Sequence, residues 1–504
     1  MFDIFRLLDF LKKQITKKDL VILALLLSLF LFTRLVNIEK LPIFTDEGIY
    51  IQWAKTAWHD ASWRFISLTD GRQPLQTWLT IPLLKIFPNN ALLAGRIFGV
   101  ISGFFAVNGL LMLLWYLFGK KTAFFGVFFF LITPYFTLYD RMALMDSGIN
   151  AAFIWILFFS ILLVRTIRLD IAIIFGLISG LSLLAKSSVQ LFLGLAAGAP
   201  ILVYQKPLRK FFRHLINYFL LYAILIFLAF AIYNIQRLSP FMHFIDQKNS
   251  TFILTFDELI KNPLGSFQFN IWSMAYYVLY ETGIVVSLSG FIGLFLLLKK
   301  DKRLALYLLA WLFISYISIS FVAKVLYPRY ITFFATLTII GAAYLLVLLK
   351  NKKIYAFYIG LIVISVIYQN YTILFDYKNI PLPEIDRGQY IVGGSSGYGI
   401  KEIIEYSRKQ TEQKPVTILA EGNFGMAGDV LNVFINKNDN IFVKSYWPLE
   451  SKNLYENLPE LKTRKVFVVY VYKKELPPEL PLKLIKKFEK PEGKSAIHFF
   501  ELVK

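Results

Sequence analysis

Long apolar stretches recur along most of the chain, and they constrain its fold more than any other feature. A helix that crosses a bilayer needs about 20 apolar residues, and we predict about eleven such helices. Their ranges are 20–36, 92–118, 122–138, 150–164, 171–185, 189–204, 215–236, 271–298, 304–322, 331–349 and 354–372. Because 57% of the residues are hydrophobic and the mean hydropathy is +0.57, we predict a polytopic α-helical membrane protein.

Lysines and arginines collect in every second connection between these stretches, which accounts for much of the net charge of +21. Cytoplasmic loops carry this bias, so the charge indicates orientation in a membrane and not a nucleic-acid partner. The basic connections are 120–121, 165–168, 206–213, 299–303 and 350–353. The basic segment 6–18 leads into the first stretch without a small-residue cleavage site. We therefore expect an uncleaved anchor and a cytoplasmic N-terminus.

The composition changes near residue 373, where prolines and charged residues become frequent. We predict a membrane domain over 1–372 and a soluble α/β domain over 373–504. Short apolar runs that indicate strands of this second domain lie at 390–392, 416–420, 441–443, 466–472 and 498–502. An odd number of spans places the second domain on the extracytoplasmic side.

Two segments require separate interpretation. The region 39–91 is predicted to be a long outer loop with interfacial helix, because its apolar run is short and is interrupted by Pro74 and Pro82. The glycine-rich segment 393–399 lacks the G-x-G-x-x-G spacing of dinucleotide sites. We interpret it as a structural turn or as a surface that guides an acceptor.

Asp46 and Glu47 are adjacent carboxylates in the predicted outer loop, close to the first span. Neighbouring side chains point in different directions, so we expect one of the two to face a substrate. A solvated loop is the alternative for the pair taken alone. Asp146 precedes the predicted span 150–164, where it either caps the helix or belongs to a site. Arg141 is then its ion-pair partner or a phosphate ligand.

Three cations stand at outer ends of predicted spans, where the cytoplasmic charge bias does not explain them. They are Arg72, Lys186 and Arg329. Lys186 alone is also typical of a lysine that extends along a helix to the membrane surface. Together with the carboxylates, these cations indicate a pocket for an anionic lipid headgroup. Glycosyl transfer from a polyprenyl phosphate needs such a set, because cations stabilise the leaving phosphate and a carboxylate deprotonates the acceptor hydroxyl.

The order of these motifs resembles the membrane glycosyltransferases of the GT-C fold, especially the protein O-mannosyltransferase and aminoarabinose-transferase superfamily. The resemblance covers about residues 1–372. It is carried by Asp46-Glu47, Arg72-Gln73-Pro74-Leu75, Arg141-x-x-Leu144-x-Asp146, Lys186 and Pro328-Arg329-Tyr330. One departure is Gln73, which stands where the superfamily often has lysine.

The resemblance implies an inverting transferase with Asp46 as the base and Glu47 as a supporting acid. It implies substrate-binding residues as well, namely Arg72, Arg141, Asp146, Lys186, Tyr327, Arg329 and Tyr330. The donor would be a polyprenyl-phosphate sugar, and the acceptor a protein, a lipid or a glycan. The alternatives are a transporter or flippase without transferase activity, and a non-catalytic envelope scaffold.

No metal cofactor is expected, because the chain has no cysteine and its four histidines are scattered. The resemblance also favours a metal-independent reaction. A divalent ion held by Asp46 together with Asp140 or Asp146 remains the open alternative.

Overall fold

The computed structural model describes residues 15–204, 207–473 and 479–504. The basic residues 6–14 and Lys206, for which the sequence predicts a cytoplasmic position, lie outside these ranges.

The first part of the chain is almost entirely helical. Its α-helices are α1 (Lys17–Leu35), α2 (Thr45–His59), α3 (Leu75–Ile86), α4 (Ala91–Phe118), α5 (Lys120–Ile132), α6 (Pro134–Tyr139), α7 (Asp146–Thr166), α8 (Leu169–Leu183), α9 (Val189–Ala196), α10 (Leu208–Tyr233), α11 (Phe244–Phe252), α12 (Phe256–Lys261), α13 (Phe267–Thr282), α14 (Ile284–Lys300), α15 (Lys302–Val322), α16 (Thr332–Leu348) and α17 (Lys352–Phe375).

Within the described residues, six helices are long and apolar enough to cross a membrane, or up to seven if the bent pair α13 and α14 counts as one span. They are α4, α7, α15, α17, α10 with its extension to Leu238, and α16 with its 3-10 turn from Pro328. The prediction of a multi-pass helical protein is therefore confirmed, whereas the predicted number of about eleven spans is not.

Several predicted spans are shorter or broken in the structure, for identifiable local reasons. The stretch 122–138 divides at Pro134, which lacks a backbone donor and begins α6. The stretch 271–298 bends by 110° at Gly283, whose φ of +92° is a conformation that favours glycine. The stretch 189–204 leaves the α-helical form after Ala196 and continues as a 3-10 turn. Hydrophobic length alone therefore overestimates the number of uninterrupted spans.

The predicted basic connections meet at one end of the bundle, where cations lie over aromatic rings. Lys121 lies over Tyr355, at 4.9 Å from the ring centre, and so joins the connection after α4 to the start of α17. Similar contacts join the remaining connections: Arg165 to Tyr116, Lys300 to Tyr344, and Arg303 to Tyr204. The charge asymmetry of the sequence thus becomes one basic end of the molecule.

The last part of the chain forms a small five-stranded sheet with short helices. The elements are α18 (Glu384–Arg387), α19 (Ile400–Gln410), β1 (Val416–Glu421), α20 (Gly428–Phe434), β2 (Ile441–Tyr446), α21 (Ser451–Asn457), β3 (Lys465–Tyr470), β4 (Leu482–Glu489) and β5 (Ala496–Leu502). The strand order is β2-β1-β3-β5-β4. Strand β1 is parallel to β2 and β3, while β5 is antiparallel to β3 and β4. This mixed sheet agrees with the predicted C-terminal α/β region.

The glycine-rich segment of the sheet region is bound to the chain just before α2. The Thr45 backbone N–H donates to the Ser395 carbonyl oxygen at 3.0 Å, and the Gly397 N–H donates to the Ile43 carbonyl oxygen at 2.7 Å. A Cβ atom at Gly397 would lie 2.7 Å from that same oxygen, so the close approach requires glycine. Segment 393–399 is thus a structural turn that holds the start of the helix carrying Asp46.

Candidate active site

A cavity of about 330 Å³ lies at the junction of α2, α7, α9, α11 and α15. Six of the predicted site residues line it: Asp46, Arg72, Asp146, Lys186, Arg329 and Tyr330. Acids and cations that are distant in sequence thus line the same cavity.

Asp46 occupies the first turn of α2, where the exposed N–H groups of a helix favour a negative charge. Its Oδ2 lies 3.2 Å from Nη2 of Arg329 and 3.8 Å from Nη1 of Arg72. One turn later, the Tyr50 hydroxyl accepts a hydrogen bond from Arg72 at 2.5 Å. Burial raises the pKa of Tyr50 to about 12, so this side chain stays neutral at physiological pH. Asp46 is therefore a carboxylate held by two guanidinium groups at the cavity wall.

Arg329 is the central cation of the cavity. Besides contacting Asp46, its Nε lies 3.9 Å from Oδ2 of Asp146. Its other amino group donates to the Gln389 side chain and, at 3.0 Å, to the Tyr390 hydroxyl. Rings close to the guanidinium complete its environment: Phe44 at 5.1 Å, Tyr327 at 4.8 Å and Tyr330 at 5.1 Å from their centres. These contacts fix Arg329 between the two aspartates.

Asp146 and Lys186 form another part of the cavity wall. Asp146 is the first residue of α7, and Met145 occupies the N-cap position, so of the two alternatives for Asp146 the N-cap role does not apply. Its Oδ1 accepts from Lys186 Nζ at 3.0 Å. Lys186 also lies 4.0 Å from the centre of the Tyr330 ring. Its ammonium group is therefore held at the cavity rather than extended along a lipid-facing helix.

Lys248 also lines the cavity and was missed by the sequence analysis. It lies on α11 and donates to Oδ1 of Asp70 at 2.8 Å, while Asp70 also accepts from Arg72 at 3.0 Å. The available signal was the same as for Lys186, because Lys248 is a cation in a predicted outer connection. Segment 237–270 contains several cations, and its sequence does not indicate which one turns inward.

Gln73 stands at the position where the superfamily often has lysine. It lines the cavity, and its amide donates to the Ser187 hydroxyl at 2.6 Å. The neighbouring Arg72 supplies the positive charge at this wall.

Glu47 does not line the cavity, in contrast to its predicted place beside the base. It is fully buried and forms two 3.0 Å contacts with Arg96. It also accepts from the backbone N–H groups of Phe44, at 2.9 Å, and Ala143, at 2.8 Å. Glu47 lies away from Asp46 because adjacent helical residues face different sides, and this side contacts α4.

Arg141 is likewise not a cavity residue. It is buried and donates to the Thr33 carbonyl oxygen at 3.0 Å, in the last turn of α1, where carbonyl groups favour a cation. Burial, together with the nearby Arg96 and Arg34, lowers the pKa of Arg141 to about 9. The described ion-pair partners of Asp146 are instead Lys186 and Arg329. Tyr327 also does not line the cavity, and its ring contacts the guanidinium of Arg329.

Asp140, considered above as a possible metal ligand beside Asp46, belongs to a separate cluster. Arg34 donates to it at 3.0 and 3.1 Å, and Ser147 donates at 2.7 Å. In the part of the chain that the structure describes, no group of three or more His, Cys, Asp or Glu residues is arranged to hold a metal ion.

No protein-family model and no curated protein matches this chain. Solved structures, however, match over nearly its whole length. ArnT from Cupriavidus metallidurans, solved bound to undecaprenyl phosphate, is 13% identical over 96% of this chain and 98% of its own, with a TM-score of 0.62. The chain has the GT-C fold.

A second similar structure is the oligosaccharyltransferase AglB from Archaeoglobus fulgidus, in complex with an inhibitory peptide and a dolichol-phosphate. It is 12% identical over 89% of this chain and 69% of its own, with a TM-score of 0.51. The predicted resemblance to the GT-C fold is confirmed. At these identities the likeness establishes the fold, and the function has to be argued from the cavity.

Proposed function

We propose that the protein is an inverting glycosyltransferase that moves a sugar from a polyprenyl-phosphate carrier to an acceptor hydroxyl outside the cytoplasm. The observation that carries this proposal is the meeting of Asp46 with Arg329, Arg72 and Lys186 in one cavity. It is supported by the GT-C fold and by the undecaprenyl phosphate bound to the similar ArnT structure.

In the proposed reaction, Asp46 acts as the general base. It accepts the proton of the acceptor hydroxyl as the acceptor oxygen forms a bond to the anomeric carbon of the sugar. The bond from that carbon to the phosphate oxygen breaks, and polyprenyl phosphate leaves. Attack in line with the leaving group inverts the configuration, so the reaction needs no carboxylate nucleophile.

The cations of the cavity would stabilise the leaving phosphate. The Lys186 and Lys248 side chains are partly exposed, as is that of Arg72, so each can offer donors to a phosphate oxygen. Arg329 is more deeply buried and already shared between two acids. We assign it the task of holding Asp46 in place while the other cations bind phosphate.

The cavity also has an apolar wall that suits a lipid-linked donor. Ile319, Val322 and Leu326 line it from α15 and the segment that follows. A polyprenyl carrier combines a phosphate with hydrocarbon, and this chamber offers cations and aliphatic side chains together.

The proposed orientation follows from the basic end of the bundle. Cytoplasmic loops are rich in lysine and arginine, so we place that end and the N-terminus in the cytoplasm. We also retain the division into a membrane domain, 1–372, and an extracytoplasmic domain, 373–504. A transporter would leave the donor intact, whereas a transferase cleaves it, and this difference decides between the two hypotheses.

The test is a transfer assay in proteoliposomes with sugar-labelled polyprenyl phosphates and envelope acceptors from a deletion strain. We expect wild-type protein to release polyprenyl phosphate, and Asp46→Asn to lose about 10²- to 10⁴-fold in rate while its thermal unfolding is unchanged. Asp257→Asn, which changes an exposed acid on α12, is the matched control. Full activity of Asp46→Asn refutes its role as base, and activity lost to a chelator but restored by Mn²⁺ or Mg²⁺ refutes a metal-free reaction.

A further inference from the structure

Three loops follow the carboxyl ends of neighbouring strands in the C-terminal sheet, and each carries an exposed aromatic ring. Strands β1, β2 and β3 are adjacent and parallel, so the loops after them emerge together. Phe424 follows β1 and is 49% exposed, Trp447 follows β2 and is 61% exposed, and Tyr472 follows β3 and is 44% exposed. We call these three residues the aromatic edge.

The aromatic edge is joined to the cavity by further rings. Asp46, Tyr50 and Trp53 are four and three residues apart on α2 and therefore share one face of that helix. Tyr50 lines the cavity, and its ring contacts Trp53 with centres 5.5 Å apart. Trp53 in turn lies 6.1 Å from Phe424. A row of rings thus runs from the wall beside Asp46 to the surface of the sheet.

The other two rings of the aromatic edge, Trp447 and Tyr472, are connected to the start of α2. The rings of Trp447 and Tyr472 contact each other edge to face, with centres 5.5 Å apart. Tyr472 packs against Gly394, where a Cβ atom would lie 3.0 Å from the ring. The neighbouring Ser395 accepts from Thr45, the residue before Asp46. Both sides of the aromatic edge therefore lead to the start of α2.

The composition of the three loops favours a saccharide over a lipid surface. In the described residues 422–426, 447–450 and 471–473, the aliphatic side chains Met426, Leu449 and Val471 are buried. The exposed side chains there, besides the rings, include Asn423 and Glu450. Sugar rings present C–H groups on a face and hydroxyls around a rim, so they match aromatic faces flanked by polar groups.

We propose that the aromatic edge binds the sugar rings of a glycan acceptor, and that the buried ring of Trp53 holds this surface against the helix that carries Asp46 and Tyr50. This inference rests on the proposed function and names its acceptor class. The acceptor glycan is either a polymer or the head of a glycolipid, because both present the same rings to the protein.

The test uses the full-length protein, the labelled donor of the transfer assay and acceptors from deletion-strain envelopes. We expect the labelled product to resist protease and to be degraded by periodate, and solvent extraction then separates glycolipid from polymer. Trp447→Ala and Tyr472→Ala should each raise the KM for the acceptor about three- to tenfold and leave the KM for the donor unchanged. Tyr455→Ala, an exposed ring on α21, is the matched control.

Three outcomes overturn this inference while leaving the transferase intact. They are release of the label by protease, an unchanged acceptor KM in both edge variants, and a component of brominated-lipid quenching that is present in the wild-type protein and lost in Trp447→Phe, which would assign the aromatic edge to the membrane. Absence of donor cleavage by the wild-type protein is a different result, because it refutes the proposed function itself.

Discussion

Acid–arginine pairs that lie beside the cavity are built differently from those that line it. Beside the cavity, Glu47 is paired with Arg96 and Asp140 with Arg34, and all four side chains are almost completely buried. Arg96 gives further hydrogen bonds to the carbonyl oxygens of Ile38, Leu41 and Pro42. Each charge in this scaffold region is neutralised by one partner and saturated by hydrogen bonds.

In and around the cavity, charges are shared instead of matched one to one. Arg329 contacts both Asp46 and Asp146, and Asp70 is contacted by both Arg72 and Lys248. Several of these groups keep an exposed side. An incoming phosphate can therefore join the cavity network, whereas the scaffold pairs have no room for another ligand. From this difference we propose that the cavity charges bind substrate and that the scaffold pairs stabilise the fold.

The largest effect on the cavity network is expected from removing Arg329, the cation that two acids share. Arg329→Gln should lower kcat about 10²- to 10³-fold, because Asp46 and Asp146 lose the group that positions them and balances their charge. The measurement is transfer rate at saturating donor, with thermal unfolding as a folding check. Arg329→Lys, which keeps the charge but not the planar fork, should recover part of the rate. A folded Arg329→Gln protein with wild-type kcat would contradict the central role of this side chain.

The scaffold region should respond in stability and not in chemistry. Glu47→Gln leaves the Arg96 guanidinium buried without its carboxylate, which we expect to lower the free energy of unfolding by about 3–5 kcal/mol. Transfer per folded molecule should keep its kcat. The double variant Glu47→Gln, Arg96→Met should recover part of the stability, since no unpaired cation remains. Loss of kcat in well-folded Glu47→Gln would instead support the predicted catalytic role of this acid.

The contrast between Asp46 and Glu47 shows where sequence reasoning stops. The sequence predicted a membrane-edge acid with cations nearby, because outer cations have no explanation in the cytoplasmic charge bias. The residues alone did not determine which of the two carboxylates faces the cavity, and only the resemblance assigned the role of base to Asp46. Which carboxylate faces the cavity depends on the contact between α2 and Arg96 of α4, which joins residues far apart in the chain.

The sheet region shows a similar limit. The apolar runs 416–420, 441–443, 466–472 and 498–502 overlap four of the strands, whereas 390–392 lies in a helical turn. Strand β4 was not predicted. Its register shifts between Leu484 and Lys486, and such a bulge interrupts the alternation by which a half-buried strand is recognised.

Lys248 offers a smaller test of the cavity network. Lys248→Gln should raise the KM for the polyprenyl-phosphate donor about five- to tenfold, because one partly exposed phosphate donor is lost while Arg72 and Lys186 remain. The kcat should change little. Lys261→Gln, at the end of α12, is the control for an outer-loop lysine outside the cavity. If both variants raise KM equally, the effect is a general loss of positive charge and not a contact in the site.

Asp429 differs from the acids of both regions, because it is partly buried and its described contacts include a backbone N–H and no cation. It accepts from the Gly425 N–H at 2.6 Å, and burial raises its pKa from 3.8 to about 6. A raised pKa in the folded state means that stability falls as pH increases from about 4 to about 6, since the unfolded chain loses this proton first. Asp429→Asn should reduce this fall in the free energy of unfolding by about 1–2 kcal/mol, after allowance for the partial exposure of the side chain. Unfolding followed across this pH range provides the measurement. An unchanged pH profile would show that Asp429 titrates normally, and that burial without a cation is tolerated at this position at little cost.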